Sequence, residues 1–205
     1  MPLGYNNPKI LDPLAELDLV DPLKIAGQDF YVRAGSGGGP DPEFPGPAGL
    51  MERLTDISSH YGMDTVFLSN TGAEAVENAI KIAYDHTKGQ YAITTVGAFH
   101  GRTLGTLSLN RSKSVYRRDF PEIAGVHDVP FCPDRTCTPE TCDCGFFIDD
   151  TSWLRQLLAP DSGYVDAGEV AYLILEPIQG EGGYRFPSHA FMDEIAGLTA
   201  EHDIP

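Results

Sequence analysis

Three short segments and one group of thiols supply the side chains in this chain that could do chemistry. The first segment is Ser69-Asn70-Thr71-Gly72-Ala73-Glu74, a turn of small polar residues. It follows the apolar run Val66-Phe67-Leu68 and opens a stretch with Ala75, Val76, Ala79, Ile80 and Ala83 at helical spacing. Free backbone N–H groups at a helix start, with the positive end of the dipole behind them, form a cradle for a phosphate. The turn alone reads equally well as an ordinary strand-to-helix connection. Glu74 and Glu77 sit in the first turns of that helix. Their charge would repel an anion if they faced it and suits the dipole if they point aside.

The other two segments also follow strand-like runs. Ala98-Phe99-His100-Gly101-Arg102-Thr103 comes after Tyr91 to Val96, and Glu176-Pro177-Ile178-Gln179-Gly180-Glu181-Gly182-Gly183 comes after Val170 to Leu175. Open α/β sheets place ligands at such strand ends. Phe99 offers a flat apolar face that suits a conjugated ring, and it reads otherwise as a core aromatic. His100 is either a site residue or a hydrogen-bonded support for one. Arg102 offers a planar fork that matches a carboxylate, against the plainer reading of a surface or capping arginine. Glu176 and Glu181 flank a Pro/Gly loop that follows a buried strand, where a solvated face would be the usual reading of such charges.

Cys132, Cys137, Cys142 and Cys144 fall within thirteen residues of a Pro/Thr/Asp-rich stretch. Four thiols this close could hold a tetrahedral zinc ion and staple a long loop. The spacing lacks the paired two-residue knuckles of zinc sites, and Asp143 alone separates the last two cysteines. The alternative is a set of reduced thiols in an insertion loop.

The elements that position these groups are legible in outline. Leu50 to Tyr61 is predicted as a helix with Gly62 as its C-cap. Strand, helix and strand then alternate through residue 96, the pattern of a parallel sheet with crossover helices. Further helices are predicted over Thr151 to Leu158 and from Ser188, as N-cap, to about Glu201. Residues 1–48 form a loop-rich Pro/Gly segment, and Gly35 to Pro40 within it reads as a flexible loop. Residues 49–205 form the larger domain, with a Cys-rich insertion at 130–148. No internal repeat is evident. A strand at 170–175 followed by a crossover helix calls for a returning parallel strand, so the chain is expected to be a fragment.

Thirty acidic against fourteen basic residues give a net charge of −16 over 205 residues, which argues against a nucleic-acid partner. No apolar run of membrane length and no signal peptide is present, so a cytoplasmic protein is expected. The acid is spread along the chain and only five residues are lysine, a balance expected of a salt-adapted surface.

The three segments, in this order, resemble the class III (omega-type) aminotransferases, in particular a haloarchaeal 4-aminobutyrate or ornithine type. The resemblance runs from about Gly4 to the last residue. It implies an α/β fold: a partial, mainly parallel sheet with crossover helices, the large domain of pyridoxal-phosphate fold type I. By the same resemblance, Thr71, Gly72 and Ala73 would hold the cofactor phosphate, and Phe99 would stack on its ring. His100 follows in the motif, Glu176 faces the cofactor, and Gln179 and Gly180 shape the loop after it. Arg102 would meet a substrate carboxylate, and Glu181 would gate a substrate-binding arginine outside this chain. The implied reaction moves an amino group from an amino acid, such as 4-aminobutyrate or ornithine, to a 2-oxo acid in a homodimer. A racemase on the same scaffold, and a gene remnant or half of a split enzyme, are the alternatives. None of Lys9, Lys24, Lys81, Lys88 and Lys113 matches the family's Schiff-base lysine, so no catalytic residue is assigned and this chain alone is expected to be inactive. Family members also carry a β-rich segment ahead of the part resembling Gly4 to Pro8, so the start is expected to be clipped.

Overall fold

The computed structural model describes residues 4–16, 31–33 and 47–205; the expected glycine loop at 35–40 lies outside these residues. The elements in chain order are α1 (Pro8–Glu16), β1 (Tyr31–Arg33), α2 (Pro47–Ser58), β2 (Thr65–Phe67), α3 (Gly72–Thr87), β3 (Tyr91–Thr95) and α4 (Leu104–Leu109). They continue with β4 (Val126–Val129), β5 (Phe147–Ile148), β6 (Thr151–Ser152), α5 (Trp153–Leu157), β7 (Val170–Leu173) and α6 (His189–Glu201). Residues 1–69 and 70–205 make two compact units.

In the first unit, α2 ends in a short 3₁₀ turn over Ser59–Tyr61. Gly62 closes it at φ 73°, donating its N–H to Ser59, as a left-handed C-cap glycine does. The expected parallel pairing of the strand near residue 66 does not occur. β2 pairs antiparallel with β1, with Val32 opposite Val66. The physical reason lies in its sides: Thr65 and Phe67 are exposed, whereas an inner parallel strand is covered on both faces.

The second unit is built on a parallel sheet in the order β4-β3-β7. β3 lies in the middle, and Ala92, Ile93, Thr94 and Thr95 are all buried. Its alternating side chains enter two different cores. Ala92 joins Leu109, Ala171 and Tyr172 on the face covered by Val76, Ile80 and Ala83 of α3. Ile93 joins Val129, Phe131, Phe146, Phe191 and Leu198 on the face covered by α5 and α6. Helices therefore cover both faces, the expected α/β arrangement.

Ser152 caps α5 by accepting from the Arg155 N–H at 3.1 Å, so the helix expected from residue 151 begins at Trp153 after a two-residue strand. Ser188 caps α6 as expected, accepting from the Phe191 N–H at 3.1 Å. After α6 the chain turns back onto β7. Ile204 is buried, and Leu173 donates its N–H to the Pro205 carbonyl at 3.0 Å. Sequence reading missed α4 and β4. The Val-His-Asp-Val strand is too short and polar to announce itself, and only its place beside β3 makes it a strand.

Candidate functional site

The loop after β3 and the loop after β7 meet at the C-terminal end of the sheet, where doubly wound folds hold ligands. Glu176 ties them together. Its carboxylate accepts from the Phe99 N–H through one oxygen and from the Gly180 N–H through the other, both at 2.9 Å. Asn110 braces the first loop from below, accepting from the His100 N–H at 2.7 Å and donating to the Gly101 carbonyl at 2.8 Å. Gln179 is fully buried and donates to the Val96 carbonyl at 2.9 Å. Its side-chain oxygen is buried without a hydrogen-bond partner among the described residues.

The helix start that the sequence singled out has the right form. Thr71 accepts from the Glu74 N–H at 3.1 Å, and the Glu74 carboxylate turns back to accept from the Asn70 and Thr71 N–H groups at 2.8 and 3.1 Å. This capping box uses the donors on either side of Gly72 and Ala73. Among the described residues, the N–H groups of Gly72 and Ala73 have no acceptor. Glu77 points to a different helix, accepting from Gly105 N–H at 3.0 Å and Thr106 N–H at 3.2 Å at the start of α4, and also from the Thr103 hydroxyl. Glu77 thus points away from the helix start, whereas the Glu74 carboxylate stays beside it and spends its charge on the Asn70 and Thr71 N–H groups.

Gly101 brings the two parts together. A Cβ on it would lie 2.8 Å from the Ala73 Cβ and 2.6 Å from Thr106 Oγ1, so the loop of Phe99 to Arg102 rests directly on the first turn of α3. Phe99 is half-buried, with its ring edge against Tyr116 at 5.5 Å between centroids and the Arg102 guanidinium 6.0 Å from its centre. His100 is 9% exposed, with Nε2 3.3 Å from Thr94 Oγ1. Thr94 spends its own hydrogen on the Leu109 carbonyl, so the His100 Nε2 carries a proton toward Thr94. Burial holds the imidazole pKa below the ordinary value, against the pull of the nearby Glu176 charge. His100 therefore supports the loop from within.

Glu181 is held at the rim by Lys113 at 2.7 Å and by the Tyr116 hydroxyl. The hydrogen bond to Glu181 keeps the Lys113 ammonium protonated, the reverse of what an amine nucleophile needs. Asn110 and Tyr116 hold residues of these loops, and no sequence pattern marks them, since each acts through a contact outside its own turn of chain.

The four cysteines converge elsewhere in the same unit. Their sulfurs all lie within 4.8 Å of one another, on the α5/α6 side of the sheet. Burial pushes the Cys137 thiol upward and the Cys144 thiol up to about 12. Burial also works against ionising Cys142, yet the Phe147 N–H and the Cys144 thiol bring it down to about 7. A cleft lined by Leu158, Tyr164, Asp166 and His202 lies toward the N-terminal end of β7 and touches none of these residues. A strand's N-terminal end is the wrong place for a ligand in such a sheet, so the loops carry the argument.

Residues 46–205 match the family described as Aminotransferase class-III. The chain is 35% identical over 168 residues to an acetylornithine aminotransferase of Agrobacterium fabrum, covering 79% of this chain and 35% of that protein. It is 32% identical over 160 residues to a probable 4-aminobutyrate aminotransferase of Bacillus subtilis, covering 76% of this chain and 35% of the relative. The chain thus spans about a third of the length of these relatives. Among solved structures, a lysine aminotransferase from M. tuberculosis aligns at TM-score 0.53 and 29% identity over 66% of this chain and 33% of its own. A PLP-bound amine transaminase from an uncultivated Pseudomonas species aligns at TM-score 0.65 over 89% of this chain and 41% of its own. At 23% identity the second shows the shared fold alone. Among the described residues, no helix is long and apolar enough to cross a membrane.

Proposed function

The chain belongs to the class III aminotransferases, and from that membership we propose that it supplies the phosphate cradle and ring-side loop of a pyridoxal-phosphate site. The observation that carries this reading is the pair of unclaimed N–H groups at Gly72 and Ala73, with Glu77 turned to α4 and the Glu74 carboxylate engaged by the Asn70 and Thr71 N–H groups. The cofactor fits there. Its phosphate needs donors at a helix start, and a side chain at Gly72 would meet nothing within 4 Å, so the approach is open. In this reading Thr71 would border the cradle, Phe99 would stack on the cofactor ring and Arg102 would meet a substrate carboxylate. Pyridoxal phosphate, when bound, supplies the electron sink for moving an amino group from an amino acid to a 2-oxo acid. Glu176 positions Phe99 through the backbone, and buried His100 fixes the turn on which both stand. Glu181, paired with Lys113 and Tyr116, waits at the rim where a substrate charge could displace one partner.

Acetylornithine, 4-aminobutyrate and lysine, the donors named for the relatives, are the first substrates to test. The working enzyme is a homodimer in a salt-adapted cytoplasm, a reading supported by the family and by the charge of −16. We expect that this chain alone does not transfer amino groups, because none of its five lysines matches the Schiff-base position of the family it resembles.

Gly72→Pro tests the cradle. Proline suits the first position of a helix, and Thr71 at φ −140° and ψ 159° already has the extended backbone a proline requires before it. The variant keeps the fold and removes one N–H. Cofactor binding by the chain, measured by equilibrium dialysis and competed with inorganic phosphate, is expected to weaken about tenfold or more. Unchanged affinity, or indifference to phosphate, would sink the assignment. Borohydride should trap no cofactor on any lysine.

A further inference from the structure

We propose that Cys132, Cys137, Cys142 and Cys144 form a tetrathiolate site for one zinc ion that fastens the 130–148 loop to the sheet. The sulfurs lie within 4.8 Å of one another although the residues spread over thirteen positions. Four sulfurs at about 2.3 Å from a central ion in a tetrahedron stand about 3.8 Å apart, so shifts of under an ångström close the cage. Cys142 and Cys144, whose single-residue spacing looked too tight for joint ligation, already bring their sulfurs to 3.1 Å in a thiol–thiol contact without a disulfide. Thiols buried only as small apolar groups would have no reason to converge.

The surroundings favour thiolates as well as convergence. The Phe147 N–H donates to Cys142 Sγ and the Ser188 hydroxyl donates to Cys132 Sγ, each at 3.5 Å. Donors of this kind orient and stabilise metal-bound sulfur. The contacts that ligation would give up are slight, the Cys137 thiol to the Thr138 carbonyl at 3.6 Å and the thiol–thiol contact of Cys142 with Cys144. Cys132 and Cys137 are buried among Phe131, Phe146 and Phe191, which shield the site from water. Soft sulfur ligands in a tetrahedral set select zinc over magnesium or calcium. On binding, four S–H bonds release four protons, four S–Zn bonds form, and nothing is oxidised or reduced.

The ion would also reach the candidate site indirectly. Ser188 donates its N–H to the Cys132 carbonyl at 3.2 Å while its hydroxyl caps α6. The loop bearing Glu176 and Gln179 runs straight into this residue, so the cage would fix its far end.

Metal analysis of the full chain, made without an affinity tag or chelator, is expected to give about one zinc per chain. X-ray absorption should show four sulfurs at about 2.3 Å. The four thiols should resist a thiol reagent until a chelator is added, and chelation should open the loop to trypsin at Arg135. Cobalt exchange should produce a sulfur-to-cobalt charge-transfer band that is lost in the Cys142→Ser/Cys144→Ser double variant. Should that variant fail to fold, the absorption spectrum of the natural chain decides. A metal-free chain with four freely reactive thiols and no cobalt uptake would overturn the site. Bound iron would overturn the choice of metal.

Discussion

Two loops leave neighbouring parallel strands on the same end of the sheet, and they are ordered in opposite ways. The loop after β3 is held by its backbone: Glu176, Asn110 and Gln179 reach in from elsewhere and satisfy the amides and carbonyls of residues 96–101. Of its own side chains, Arg102 is left exposed and Phe99 half-buried against Tyr116. The loop after β4 is held by its side chains, as Phe131, Cys132, Cys137 and Phe146 all turn into the core. A loop whose backbone is fixed by others can offer its side chains outward to a ligand, whereas one that anchors itself keeps its side chains, the cysteines included, for the interior.

Truncating one phenylalanine in each loop gives the largest test of this contrast. Phe146 is fully buried against Phe147 and Phe191, so Phe146→Ala is expected to cost about 3–5 kcal/mol in urea unfolding. Phe99→Ala should cost about 1 kcal/mol and show itself in cofactor binding instead. Equal losses of stability would erase the distinction.

Glu176→Gln tests the backbone clamp at smaller scale. The amide keeps one acceptor and sets an NH₂ group against the other N–H, an expected loss of about 2 kcal/mol by thermal melting. Hydrogen exchange should quicken at Phe99 and Gly180 while the 130–148 loop stays protected.

The smallest effect is that of pH. His100 has a lowered folded-state pKa, so the unfolded chain binds its proton more readily. Its contribution is fully present above the unfolded value of about 6.5 and is lost as pH falls below it. Stability measured from about pH 7.5 down to about pH 5.5 should decline, and His100→Gln should flatten that limb. An unaltered slope would show that His100 does not carry it.

Local signals made much of this legible from sequence. Thr71 followed three residues later by Glu74, Ser188 before α6 and Gly62 after α2 are caps, and caps depend on neighbours within four residues. The motif loops at Phe99 and Glu176 were placed correctly because each ends a buried apolar run. β2 was misassigned to the parallel sheet because three apolar residues do not say which edge they will meet. The direction of Glu77 could not be read either. Its partners at Thr103, Gly105 and Thr106 lie more than twenty residues away, and in a bare sequence it counts only as a charge near a phosphate cradle.

By itself, then, the sequence determined the helix starts, the strand ends and the family they resemble, since these rest on short-range periodicity, capping and motif order. Tertiary structure decided which of those features work together. It turned Glu77 off the cradle, set Gly101 on Ala73, tied Phe99 to Gly180 through one carboxylate and drew four spaced cysteines to a point. Those outcomes depend on contacts between distant residues, and such contacts exist only once the sheet has brought its loops to one end.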